Sequence, residues 1–290
     1  MNYILHLLIM IGIYLPLAYS LNLILGYGGL ISFCHAAFYG IGAYTYAILV
    51  TSKIINPSAA LFAAIFVTTV VSLIIGRIAL RFRGDLFLFV TLGFQMIIFV
   101  IFYNWIGLTN GPYGLAGISR PGCFGIYLKT PIQYFILILI IDIILIPMIF
   151  ILYRSSFGLT LKALRENEIA AESLGIEPVR IYYQSFVISA AIAAIPGAFY
   201  ASYLTYIDPT SFTLNESIFQ AAILLLGGTG NKSGPFVGVI IMILLPEALR
   251  FVGLPDSLAH HIREIIYGLL LALLMYFRPQ GIAGEYRIAT

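Results

Sequence analysis

The sequence predicts an all-α polytopic membrane protein, a bundle of about eight transmembrane helices with glycine-broken members and one short helix outside the membrane. Three observations predict it. Of 290 residues, 61% are apolar and only 9% charged, where soluble domains carry roughly a quarter charged residues. The apolar runs are continuous rather than alternating, which suits helices and not the strands of a closed barrel. Residues 1–52 hold no Asp, Glu, Lys or Arg at all. A compact chain of this size could not hide so much apolar surface from water, which excludes a disordered chain, a nucleic-acid-binding domain and an ordinary soluble enzyme. The net charge of +3 is too small to imply a polyanionic partner such as nucleic acid. Two cysteines, Cys34 and Cys123, set no framework, and a disulfide between them stays open.

A helix rises about 1.5 Å per residue and the hydrocarbon is about 30 Å thick, so one span takes roughly 20 residues. The charge-free stretch 1–52 therefore holds two spans, broken at Gly26, Gly28 and Gly29, and is too long for a cleavable signal peptide. Further spans are predicted at about 57–76, 86–106, 131–153, 182–206, 217–227 joined to 235–249, and 263–278. Basic residues cluster in three places: Arg77, Arg81 and Arg83; Arg154, Lys162, Arg165 and Arg180; and Arg278 with Arg287. Short loops rich in Lys and Arg stay cytoplasmic, so these three are assigned inside and the Gly/Pro-rich segment 107–130 outside. The N-terminus then lies outside, unless a half-span within 26–42 reverses it.

The one long polar stretch, 154–181, carries four basic and four acidic residues. Ser156 is expected as an N-cap, Leu161, Leu164, Ala171 and Leu174 repeat at helical spacing, Gly175 offers a left-handed stop and Pro178 prevents continuation. A connector lying on lipid headgroups favours a basic face, whereas this one is balanced, so an apolar ridge suited to a protein groove is the preferred reading.

Residues 156–175, with Leu164-Arg165-Glu166-Asn167-Glu168-Ile169-Ala170-Ala171 at their centre, resemble the cytoplasmic coupling segment of branched-chain amino-acid ABC importer permeases. Blocks at 28–44, 83–93, 108–118, 226–235 and 266–282 also resemble that family and stand in its order. Within it, the Arg-Glu-Asn-Glu loop is similar to that of one of the two permease subunits. The resemblance implies that 1–290 is a single transmembrane permease domain in the cell membrane, paired with a second related permease. It further implies two ATPase subunits beneath, an extracytoplasmic binding protein above, and hydrophobic amino acids as cargo. Leu161, Leu164, Ala171 and Leu174 would then be the surface gripped by the ATPase, with Arg165, Glu166 and Glu168 in rim pairs and Asn167, Ala170 and Gly175 within the same segment. A permease for urea, short amides or sugars, or a secondary transporter driven by an ion gradient, are the rival functions.

Sites inside the membrane are fewer. The stretch 226–235 looks like a phosphate loop but fails the pattern, because Lys232 follows Asn231 rather than Gly and no strand precedes it; a cytoplasmic turn or an exposed helix break both fit. Gly28, Gly29, Ser32 and His35 mark a break whose free N–H groups could take a carboxylate, or a close-packed hinge. Asp142 stands at the centre of its span, where a carboxyl is costly unless paired, so a pathway role and a hydrogen bond to a neighbouring helix both stand. Ser189, Ala193, Gly197 and Ala201 form a small-residue seam for tight helix packing. His260, His261 and Glu264 lack a convincing ligand geometry, so no metal and no cofactor is expected, and no assembled acid, base or nucleophile points to an enzyme.

Overall fold

The computed structural model describes residues 2–53, 55–120, 122–123, 126–127, 130–250, 268–269 and 281–283. His260, His261, Glu264, Arg278, Arg287 and nearly all of the predicted span 263–278 fall outside the described residues.

Helix α1 (Asn2–Leu21) runs straight into a π-helical stretch, Asn22–Tyr27. After a bend comes α2 (His35–Thr51), followed by α3 (Pro57–Ala79), α4 (Asp85–Asn104) and the single turn α5 (Ile106–Thr109). A 3-10 turn, Gly111–Tyr113, leads into strand β1 (Leu115–Ala116), then β2 (Gly122–Cys123) and β3 (Ile126–Tyr127), which pair with each other. Then follow α6 (Pro131–Arg154), α7 (Ser156–Glu166), α8 (Glu168–Ser173), α9 (Pro178–Leu204), and β4 (Tyr206–Ile207), which pairs antiparallel with β1. A 3-10 turn, Pro209–Phe212, precedes α10 (Leu214–Gly227) and α11 (Gly234–Arg250). Proline at the first helical position starts α3, α6 and α9, where its missing N–H would have had no partner anyway. In α6 the start is also fixed by a capping box, Thr130 with Gln133.

Among the described residues, five helical stretches are long and apolar enough to cross a bilayer: α1 with its π extension, α3, α4, α6 and α9. The remaining apolar helices are shorter, with α2 and α11 at 17 residues and α10 at 14, or about 21–26 Å at the helical rise. The predicted joined span 217–227 with 235–249 is therefore corrected: it is two helices folded back on one another. Glycines cause this. A Cβ at Gly227 would lie 2.0 Å from the Gly234 carbonyl oxygen, and one at Gly238 would lie 1.9 Å from that of Ile223, so the backbones themselves touch and α11 returns alongside α10.

Helix α2 is the centre of the bundle, buried along almost its whole length between α3, α4, α9 and α10. Along it Tyr39 and Tyr44 meet Phe212 edge-on, and Tyr44 stacks on Phe102. The seam on α9 meets it at backbone distance: a Cβ at Gly197 would lie 2.2 Å from the Tyr39 carbonyl oxygen. Ser189 takes the other direction, donating to the Ser20 carbonyl of α1 at 2.6 Å.

The bundle has two distinguishable ends. At one, His6 Nδ1 and the Tyr203 hydroxyl are 2.8 Å apart, β1 pairs with β4, and Tyr46 donates to the Ser119 carbonyl. The N-terminus thus lies with the 107–118 segment. At the other, Arg83 pairs with Glu168 at 2.9 Å, and α7, α8, the 228–233 loop and residues 281–283 gather. Both described basic clusters are there, as are residues 281–283 just beyond Arg278.

Candidate functional site

The polar segment breaks at Asn167 into two helices instead of forming one. Asn167 is extended and its Oδ1 accepts from the Ala170 N–H at 2.9 Å, capping α8. Ser155, one residue before the expected Ser156, caps α7 by accepting from the Gly158 N–H. Gly175 has φ +85° and ends the segment as the sequence suggests.

The face of this segment is the main correction. Leu161, Leu164 and Ala171 do not point outward; they are buried against the bundle. The outward apolar side chains are Leu159, Ile169 at 81% exposed and Leu174 at 83% exposed, with Glu166, Asn167, Ala170 and Gly175 beside them. An apolar stripe says that a helix face is covered but not by what. Here the protein's own helices cover it.

What the inward face touches joins three features that the sequence presents separately. The Leu161 side chain lies 3.6 Å from where a Cβ on Gly28 would be, and Arg165 packs its stem over Gly29, whose φ of +70° and crowding both require glycine. The Arg165 guanidinium then donates to the Gly26 carbonyl, inside the π-helical stretch, and to Thr229 Oγ1 at 3.5 Å. Arg165 is thus built into the α1–α2 break. Of the predicted rim residues, Glu168 is paired, with Arg83.

The glycine loop 228–233 closes the same cluster. Asn22 donates to the Asn231 carbonyl at 2.9 Å and accepts from the Gly230 N–H at 3.0 Å. Asn231 Oδ1 accepts from the Gly234 N–H, and the hydroxyl of Tyr19 donates to the Lys232 carbonyl at 2.7 Å. Residues Ile282 and Ala283 donate to the carbonyls of Leu226 and Gly227, both at 2.9 Å, filling the acceptors left at the end of α10. The loop is a pinned turn touching the break, the α7 helix and the C-terminal segment at once. Lys162 lies over the Tyr27 ring at 4.8 Å, and Lys232 over Phe150 at 5.5 Å. Burial and the nearby cations Arg154 and Lys162 lower the ammonium pKa of Lys232 from its ordinary value.

From Gly28 the chain turns back into the bundle before α2 begins. His35, the first residue of α2, sits beside Ser20, with Nε2 and Oγ 2.8 Å apart. Because Ser20 commits its proton to the Leu17 carbonyl, His35 Nε2 is the donor, and Nδ1 is left buried without a hydrogen-bond partner. The start of α2 thus lies some eight residues up α1 from Gly28, about 12 Å inside the protein. Three of the N–H groups at this start are already engaged within the protein. Phe33 donates to Thr91 Oγ1 at 3.2 Å, Ala36 to Ser217 Oγ at 3.1 Å, and Ala37 to the Cys34 carbonyl. Ser217 donates on to Gln95, whose amide reaches the Phe212 carbonyl. Ser32 is buried, its hydroxyl 3.3 Å from the Cys34 thiol. Sequence reasoning missed Thr91, Gln95 and Ser217; polar side chains in the middle of apolar runs were the signal.

Asp142 stands apart from this break. It faces Gly12 of α1, where a Cβ would lie 3.1 Å from its Oδ2, and its Oδ1 has no hydrogen-bond partner. The expected hydrogen bond from a neighbouring helix is not made at that oxygen.

Residues 3–277 match the family described as "Branched-chain amino acid transport system / permease component". The chain is 32% identical to the high-affinity branched-chain amino acid transport system permease protein LivM of Escherichia coli K12, over 93% of this chain and 67% of that one. It is 24% identical to the probable branched-chain amino acid transport permease protein LivM of Methanocaldococcus jannaschii, covering 98% of this chain and 94% of that protein. It is 28% identical to the corresponding LivH permease of Salmonella typhimurium, covering 94% and 91%. No solved structure matches the chain.

Proposed function

The chain belongs to the branched-chain amino acid transport permease family, and from that membership we propose that it forms half of the pore of an ATP-driven importer. Its cargo is branched-chain or other hydrophobic amino acids. The other half is a second related permease, two ATPase subunits supply the work at the α7–α8 end, and an extracytoplasmic binding protein delivers solute at the opposite end. Among the described residues, the five long helices, α2, α10 and α11 supply eight helices for the bundle. Treating α10 and α11 as two passes puts the 228–233 loop, with Lys232, on the side of the described basic clusters, as the positive-inside rule asks.

One observation carries the reading: the segment that faces the ATPases is hydrogen-bonded through Arg165 to the Gly26 carbonyl of the helix break. The π-helical stretch there offers looser backbone bonds than an α-helix, and such stretches recur at functional sites. When the ATPases close and drag α7, Arg165 moves with it, the π stretch reseats, and the start of α2 shifts within the bundle. The outward side chains Leu159, Ile169 and Leu174 make the grip; Leu161, Leu164 and Ala171 pass the movement inward.

The test separates hydrolysis from uptake in the reconstituted transporter. Arg165→Gln removes a charged donor whose loss is worth about tenfold or more, so leucine uptake falls by that factor while ATP hydrolysis continues; Arg165→Lys keeps part of the uptake. Parallel loss of both activities would reduce the segment to a docking site. Uptake of urea or a sugar in place of leucine would overturn the cargo.

A further inference from the structure

Between α3 and α9 a groove runs from the coupling end of the bundle toward its middle, changing character along its length. At the coupling end it opens into a cavity of about 1040 Å³ walled by Arg77, Arg81, Arg83 and Arg180, with Glu172 and Glu177. Four arginines against two glutamates leave the cavity cationic, and Arg83 is already engaged by Glu168. Tyr183 forms the far wall of this cavity and also lines the next cleft, with Leu73, Phe157 and Val187. Ile188 lines that cleft and, in turn, a third of about 560 Å³ whose walls are aliphatic: Ile65 of α3, Met148 and Leu152 of α6, and Ile192 of α9 among them. The three spaces thus share wall residues in sequence.

We propose that this groove is a binding site for an anionic phospholipid, its phosphate held by Arg77, Arg81 and Arg180 and an acyl chain laid along the aliphatic clefts. Charge and length both select that ligand. Arg77 sits in the last turn of a membrane span, at the depth of headgroups on the basic side, where pockets between helices hold acidic lipid heads. From Arg77 to Ile65 is twelve residues of helix, about 18 Å, comparable with the half-thickness of roughly 15 Å of hydrocarbon. A soluble anion would use the arginines and leave the aliphatic clefts empty; a zwitterionic lipid would fill the clefts and leave the surplus positive charge unanswered. The apolar part also lies where the groove opens sideways, between helices that face lipid, as a chain entering from the bilayer requires. The site sits against α9 one turn from the coupling segment, so its occupant braces the Gly175–Pro178 connection.

The transporter, purified from its own membrane with the subunits that accompany it, is titrated with phosphatidylglycerol, phosphatidylcholine or inorganic phosphate, and bound lipid is read by native mass spectrometry. Phosphatidylglycerol is retained in preference to phosphatidylcholine. Arg81→Gln and Arg180→Gln, both at exposed side chains, each weaken that preference roughly fivefold and together about 25-fold, as expected for arginines near an anionic lipid surface. Ala191→Trp fills the aliphatic cleft and weakens both lipids without touching the charge, while Arg120→Gln at the opposite end changes nothing. Equal retention of the two lipids, an unaltered preference in the double variant, or displacement by inorganic phosphate would overturn the proposal. Crosslinking of Ile188→Cys to a second permease in place of lipid would do so as well.

Discussion

Helices α2 and α6 are both apolar, yet one is the core and the other the hull. Of the 17 residues of α2, 13 are buried, whereas only five of the 24 in α6 are. What differs is size, not greasiness. The α2 helix carries Ala36, Ala37, Gly40, Gly42, Ala43 and Ala47, while α6 carries no glycine or alanine and is mostly Ile and Leu. In a bilayer, lipid tails solvate leucine as well as another helix does, so hydrophobicity gives no reason to bury one apolar face over another. Small residues do, because they let backbones come close enough for dispersion and hydrogen bonds to favour protein over lipid.

The sharpest way to break that comparison is to put bulk into the close approach. Gly197→Leu places a side chain where a Cβ alone would already be 2.2 Å from the Tyr39 carbonyl oxygen. Overpacking against backbone has no rotamer to escape into, so it costs at least about 3 kcal/mol and little folded protein is recovered on size-exclusion chromatography. Gly93→Leu is the control, since nothing lies within 4 Å of a Cβ there; that variant folds as well as the parent. Similar yields for both would mean that α2 and α9 are not packed at backbone distance.

The same contrast recurs at smaller scale on the α7–α8 segment. Leu161→Ala, at a buried position, empties space beneath the α1–α2 break and costs about 2–5 kcal/mol of stability. Leu174→Ala leaves thermal stability unchanged but, under the proposed function, weakens retention of the ATPase subunits, which a pull-down reads directly. Reversal of the two effects would restore the outward face that periodicity alone suggests.

The helices themselves were legible in the sequence: the spans at 57–76, 86–106, 131–153 and 182–206 fall within a few residues of α3, α4, α6 and α9, because length, proline starts and absence of charge act locally. Three things were not. Whether 217–249 is one broken span or two helices depends on Gly227 and Gly238 meeting a partner backbone, which no local pattern encodes. The inward face of Leu161, Leu164 and Ala171 depends on the bundle being there to cover it. The junction of Arg165, Gly26 and Thr229 spans 64 residues of chain from the arginine in one direction and 139 in the other, so its parts could be named from the sequence as separate breaks but not joined.

The most discriminating comparison is the one measured within one helix. Ile138 and Ile144 lie six residues apart on α6, the first 3% exposed and the second 64% exposed. Ile138 fills the notch left by Gly12, where a Cβ would be 2.4 Å from its Cγ2. Truncating it leaves a void between α1 and α6 that neither helix can close, with a loss of about 2–5 kcal/mol. Truncating Ile144 exchanges one lipid contact for another and shifts stability by under about 0.5 kcal/mol. Thermal unfolding of Ile138→Ala and Ile144→Ala in the same lipid nanodisc reads both. A loss at Ile144 matching that at Ile138 would put a protein surface, the second permease, against this face of α6. The rule that small residues mark the core and large aliphatics the hull would then hold only for the isolated chain and fail for the assembly.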